Sequence, residues 1–163
     1  MPQSSGIWRQ VAILSIVGGA AFWLTNFAIS RTPIAAEYRS ALSISYLPML
    51  VESLVGGLII GLFVSYFLLR FHVKIPTKNP ILKSIILSLI ALVIFTLLLE
   101  GPSRLLVPTS DALRYFLIGT MINVLRILAL GIVIGYVYTR LYKGSRTTLI
   151  VAKSPHVESP HVE

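Results

Sequence analysis

The sequence predicts an all-α membrane protein, a four-helix transmembrane bundle built from two tandem helical hairpins. Three observations point there. Of the 163 residues, 55% are hydrophobic and 12% charged, about half the ~25% charged share of an ordinary soluble domain. The apolar residues collect in four runs of about 20, the length a helix needs to cross ~30 Å of hydrocarbon. The Lys and Arg residues sit between the runs and favour one side, the pattern that orients helical membrane proteins. Barrel strands are ~10 residues long and alternate in polarity, which none of these runs does.

The first run, Val11 to Ile29, is entered through Trp8 and Arg9 and left at Arg31-Thr32-Pro33. It exceeds a usual signal-peptide core and no clear small-x-small cleavage site follows it, so it reads as a retained span. Residues Ala35 to Leu42 include Glu37, Tyr38 and Arg39 and are expected to form a short helix lying on the membrane. The second run, Tyr46 to Leu69, ends at Arg70, and the third, Ile81 to Leu99, begins after Pro80. Thr109-Ser110-Asp111 reads as a cap for the fourth, Leu113 to Tyr138: hydroxyls for free N–H groups, then an acid favoured by the helix dipole. Residues 1–74 then form the first hairpin and 75–144 the second. The remainder, 145–163, reads as a disordered cytoplasmic tail. It closes on Ser-Pro-His-Val-Glu twice over, and each proline blocks helix propagation.

Orientation follows from the cationic flanks. Arg9, Arg70, Lys74, Lys78, Lys83, Arg140, Lys143, Arg146 and Lys153 fall on one side, against Arg31, Arg39, Arg104 and Arg114 on the other. The richer side is cytoplasmic by the positive-inside rule, which puts both termini in the cytoplasm; the plasma membrane is the expected location. The formal net charge of +8 is accounted for by these flanks. It forms no stripe with interleaved aromatics, so nucleic acid is not an expected partner.

A shift of 74 residues superposes the two hairpins without a gap. Glu37 falls on Asp111, Glu52 on Arg126, Gly57 and Gly61 on Gly131 and Gly135, and Ser65 on Thr139. Glu52 and Arg126 are charges inside apolar runs, each costing ~2.5–3.5 kcal/mol at a helix centre, so they are expected to face the protein interior or a wet cavity. They lie at comparable depth and are expected to pair, with Asn123 as a polar neighbour on the Arg126 face. The two small-residue ladders, Gly57-Gly61-Ser65 and Gly131-Gly135-Thr139, let helix backbones approach closely. At 100° per residue each ladder points away from its helix's charge. If the ion pair is internal, at least one ladder is therefore expected to open toward another chain.

The chain has no cysteine, which removes thiolate nucleophiles, disulfides and cysteine metal sites. His72, His156 and His161 all lie outside the apolar runs, so no buried metal or haem is expected and no cofactor is assigned. The intramembrane serines have no histidine or lysine base close in sequence, so no catalytic residue is named and an enzyme is not the expected reading. What remains is a non-catalytic membrane subunit or scaffold, packing against lipid and against other membrane chains or copies of itself. The alternative is a small transporter or channel using Glu52 and Arg126 in a polar pathway.

Overall fold

The computed structural model describes residues 4–72, 75–77, 79–100 and 111–152. Its elements are α1 (Ser4–Ser30), α2 (Pro33–Ala41), α3 (Tyr46–Phe71), α4 (Pro80–Phe95), a π-helical turn (Thr96–Glu100) and α5 (Ala112–Ala152). Four helices are long and apolar enough to cross a membrane, over Gly6–Ser30, Tyr46–Phe71, Pro80–Leu98 and Ala112–Leu141. No strand occurs among the described residues.

Helix boundaries follow from local chemistry. Pro33 and Pro80 stand in the first turns of α2 and α4, where a missing N–H costs nothing. Thr32 Oγ1 accepts from Ala35 N–H at 3.3 Å and Asn79 Oδ1 from Ile81 N–H at 3.0 Å, each satisfying an orphan donor. Helix α2 ends in a Schellman turn: Ile44 N–H donates to Arg39 O and Ser43 N–H to Ser40 O, with Ser43 at φ 52°. That left-handed residue is usually glycine. Helix α5 continues to Ala152, so residues 145–152 are helical where the sequence reading placed a disordered tail. Between Leu113 and Pro155 there is no proline to stop it. The Ser-Pro-His-Val-Glu tandem and the Thr109-Ser110 part of the expected cap lie outside the described residues.

Helix α1 packs along both α3 and α5, while α4 packs along α5 and, over a smaller area, along α3. Successive long helices run antiparallel. Trp8 stacks on Tyr66 at one end, and Ser30 lies 3.5 Å from Tyr46 Oη at the other. The end that holds Trp8 also gathers His72, Lys83 and Tyr138. Its interior is filled by Leu14, Val64, Leu68, Leu130 and Ile134, all essentially inaccessible.

The glycine ladders set the helix spacing. A Cβ on Gly61 would lie 2.9 Å from Ser15 O and 3.5 Å from Gly19 N, and one on Gly57 2.9 Å from Phe22, so this ladder seats α1 on α3. Ser15 Oγ donates to Leu58 O at 2.9 Å across the same contact. The second ladder seats α4 on α5: a Cβ on Gly135 would lie 2.5 Å from Ile81 Cα, and one on Gly131 2.8 Å from Ser88 Oγ. All four glycines are buried within the chain. The expectation that one ladder opens outward is corrected. Helix α5 lies between α1 and α4 and so has two covered faces, which lets Arg126 and the glycines both point inward.

The registers of the two contacts differ. Gly61 meets Ser15, 46 positions earlier, whereas Gly135 meets Ile81, 54 positions earlier. A gapless offset of 74 aligns the second helix of each hairpin but leaves the first helices eight residues, or about 12 Å, out of step.

Candidate functional site

Arg126 lies mid-way along α5, in a stretch with no other charge from Phe116 to Tyr138. It is tolerated there because neutral polar groups surround it. Its Nη1–H donates to Asn26 Oδ1 at 2.9 Å across the α1–α5 contact, and its Nη2–H to Asn123 Oδ1 one turn earlier on its own helix. Nε–H reaches Ile122 O at 3.4 Å, and the guanidinium lies 5.2 Å from the centroid of the Phe22 ring. Amide oxygens and an aromatic face stabilise a cation removed from water.

Asn26 was not anticipated from the sequence. It is 3% exposed, and with Oδ1 turned to Arg126 its Nδ2 is buried without a partner. An unmet buried donor costs roughly 1–3 kcal/mol. The available signal was its isolation: between Val11 and Ile29 it is the one amide side chain.

These residues line a cavity of about 470 Å³ bounded by all four long helices and roofed by α2. Its polar groups are Asn26, Ser30, Arg39, Glu52, Ser53, Tyr38, Thr96, Asn123 and Arg126. The roof is tied down on both sides. Arg39 Nη1–H donates to Ser30 O at 2.9 Å with its guanidinium 5.2 Å from the Tyr46 ring, and Glu37 pairs with Arg114 at 2.8 Å. The Schellman turn after α2 delivers Ile44 to the cavity wall. Thr96, the first residue of the π-helical turn, lines it from α4.

Glu52 and Arg126 thus reach one cavity, yet no ion pair joins them among the described residues. Glu52 is exposed, and Arg126 is met by the two asparagines. Asn123 takes the neighbouring position expected of it. Ser65 is fully buried with its Oγ unpartnered, and Thr139 Oγ1 donates back to Gly135 O at 2.8 Å. Neither reaches the cavity.

Only two cavity residues are exposed, Glu52 and Ile59. They lie seven positions apart with Gly56 between, on one stripe of α3. The next member, Phe63, meets Phe95 of α4 edge-on at 6.4 Å. The lip of the cavity therefore runs along α3 on the side of α4. Toward the Trp8 end the cavity stops at Ile60 and Ile127, where the apolar core begins. In comparisons with known proteins, no family, no curated protein and no solved structure matches this chain.

Proposed function

We propose that the chain is a small membrane carrier that binds its solute in the cavity beside Arg126. In this reading the four long helices form a transmembrane bundle of two tandem hairpins, with both termini in the cytoplasm and the α2 roof outside. One observation carries it: a guanidinium held by two asparagines in the wall of a cavity of about 470 Å³, within an otherwise apolar span. Ionisable residues inside membrane spans are costly and gather where a substrate or ion passes. The volume falls within the ~300–1,000 Å³ of small-molecule sites. The core of Leu14, Val64, Leu130 and Ile134 fills the route onward, which favours a carrier with alternating access over an open channel.

The test uses the purified full chain and a panel of small carboxylates, phosphates, amines and sugars. At least one class should raise the melting temperature by several degrees, and Arg126→Gln should abolish that rise. Because the chain lacks cysteine, Gly56→Cys adds a unique thiol to the cavity wall. It should react with an impermeant maleimide from outside and be shielded by the same solute. No thermal shift together with an unreactive thiol would remove the carrier reading.

The subunit reading keeps one observation of its own. Only 17% of the α4 span is buried inside the chain, against 28–33% for the other three. Its outer face, with Leu82, Leu89, Ile90 and Val93, is available to a second membrane chain. Native mass determination in mild detergent tests it: a complex lost on Ile90→Lys supports a subunit, and a monomer throughout rejects one.

A further inference from the structure

The cavity is graded along the helix axes. On α1 the lining runs from Ser30 and Asn26 to Phe22, and on α3 from Glu52 and Ser53 to Ile59 and Ile60. On α5 it runs from Asn123 and Arg126 to Ile127, and on α4 from Thr96 to Phe95 and Leu92. Because neighbouring helices are antiparallel, these sequences all point the same way. Every polar side chain of the lining lies toward α2, interspersed there with Ile29, Ala35, Ile44, Met49 and Ile122, and the end toward the core is wholly apolar. A small polar solute would leave the apolar half unmatched, and a hydrocarbon would strand the guanidiniums. A molecule with a polar head and an apolar chain, aligned like a lipid, satisfies both.

The charge of the head follows from the lining. Among the described residues the cavity carries two cations, Arg39 and Arg126, and one anion, Glu52. Asn26 Nδ2 adds a buried donor without an acceptor, on a residue 3% exposed. Excess positive charge and an unmet donor call for an oxyanion. The entrance follows from the lip. Glu52 and Ile59 are exposed within the Tyr46–Phe71 span, so the opening faces lipid between α3 and α4 and not only the aqueous side.

On the carrier reading above, we propose that the ligand is a single-chain amphiphilic anion, a carboxylate or phosphate monoester, drawn from the bilayer. Its oxyanion sits against Arg126 and Asn26, and its chain lies along Phe22, Ile59, Leu92 and Phe95 toward the lip. A single chain is favoured by volume: about 470 Å³ holds a head and one chain segment.

Tryptophan quenching reads this directly. Of the two tryptophans, Trp23 adjoins the cavity residue Phe22, and Trp8 lies some 22 Å farther along α1. In a Trp8→Phe background, 12-bromododecanoate should quench Trp23 saturably and bind roughly tenfold more tightly than 12-bromododecanol. Asn26→Leu and Arg126→Gln should each erase that preference. Arg126→Lys, which keeps the charge, should retain part of it and guards against a folding defect in the glutamine variant. Phosphatidylcholine vesicles doped with chain-brominated phosphatidic acid supply the two-chain comparison, and quenching there as strong as by the free acid overturns the single-chain assignment. Equal affinity for acid and alcohol overturns the oxyanion. If inorganic phosphate or acetate stabilises the chain through Arg126 while the brominated acid does not quench, this inference fails and the carrier reading stands. If none of these binds, this inference fails, and the carrier reading fails with it only when the whole solute panel gives no thermal shift and the Gly56→Cys thiol is unreactive.

Discussion

Asn26 and Arg126 show how one residue makes another tolerable. The guanidinium has two asparagine oxygens and a phenylalanine face within reach, and removing it leaves Asn26 with neither amide atom partnered. Truncations of groups in one network are not additive. Arg126→Met and Asn26→Leu should each lower the melting temperature, and the double variant should lose clearly less than the sum. Glu52→Gln, by contrast, changes an exposed side chain and should leave thermal stability within about 0.5 kcal/mol. At the opposite end His72 caps α3, stacking on Tyr138 at 5.2 Å while its carbonyl accepts from the Lys83 ammonium. Burial, and then the Lys83 charge, hold its pKa below the ordinary 6.5. The unfolded chain thus takes up the His72 proton first as pH falls, so stability is full above about 6.5 and declines below it. Melting curves from neutral to mildly acidic pH should show that loss, and His72→Gln should reduce it.

Among the elements, the helix contacts depend on glycines that are not equivalent. Gly135 has backbone within 2.5 Å of any added Cβ, while Gly56 has nothing within 4 Å. Gly135→Ala should therefore force α4 and α5 apart at a cost of about 1–3 kcal/mol. Gly56→Ala should be neutral or stabilising, since alanine is the better helix former by about 1 kcal/mol. Thermal unfolding in one detergent compares the pair directly, and equal losses would contradict the packing described. Ser43 offers the reverse case. Its left-handed conformation costs a residue with a Cβ about 1–2 kcal/mol. Ser43→Gly should recover part of that, raising the melting temperature without altering the Arg39 to Ser30 bond. The Glu37–Arg114 bridge, with both side chains about half exposed, should contribute little on its own.

For the whole molecule, the antiparallel order of the four long helices puts Ser40 and Thr77 at opposite ends of the chain's long axis. With both termini in the cytoplasm, a cysteine at Ser40 should label with an impermeant reagent in intact cells, and one at Thr77 only after permeabilisation. Labelling at Thr77 from outside would reverse the proposed orientation. The eight-residue slip between the two glycine contacts also bears on this scale. It leaves the α1–α3 and α4–α5 pairs unequal, and the cavity lies at the α2 end, where α2 residues line it.

The sequence by itself determined the number of long apolar helices and most of their limits, because the need to pair every backbone N–H in lipid leaves one solution for a 20-residue apolar run. The exceptions are α1, which begins at Ser4, and α5, which runs on to Ala152. The caps at Thr32 and Asn79 act within a turn of their own position, so their signal is local. Arg126 was visible because a charge within an apolar run stands out. Its partner did not stand out. Comparable depth in two helices selects Glu52, but depth says nothing about rotation or about which helices touch, and α1, not α3, brings the amide of Asn26 to the guanidinium. The glycine ladders likewise disclosed that close packing occurs but not with what. Only the tertiary arrangement decided that α5 is covered on two faces, because side-chain direction is a local property and helix adjacency is the balance of every contact in the chain.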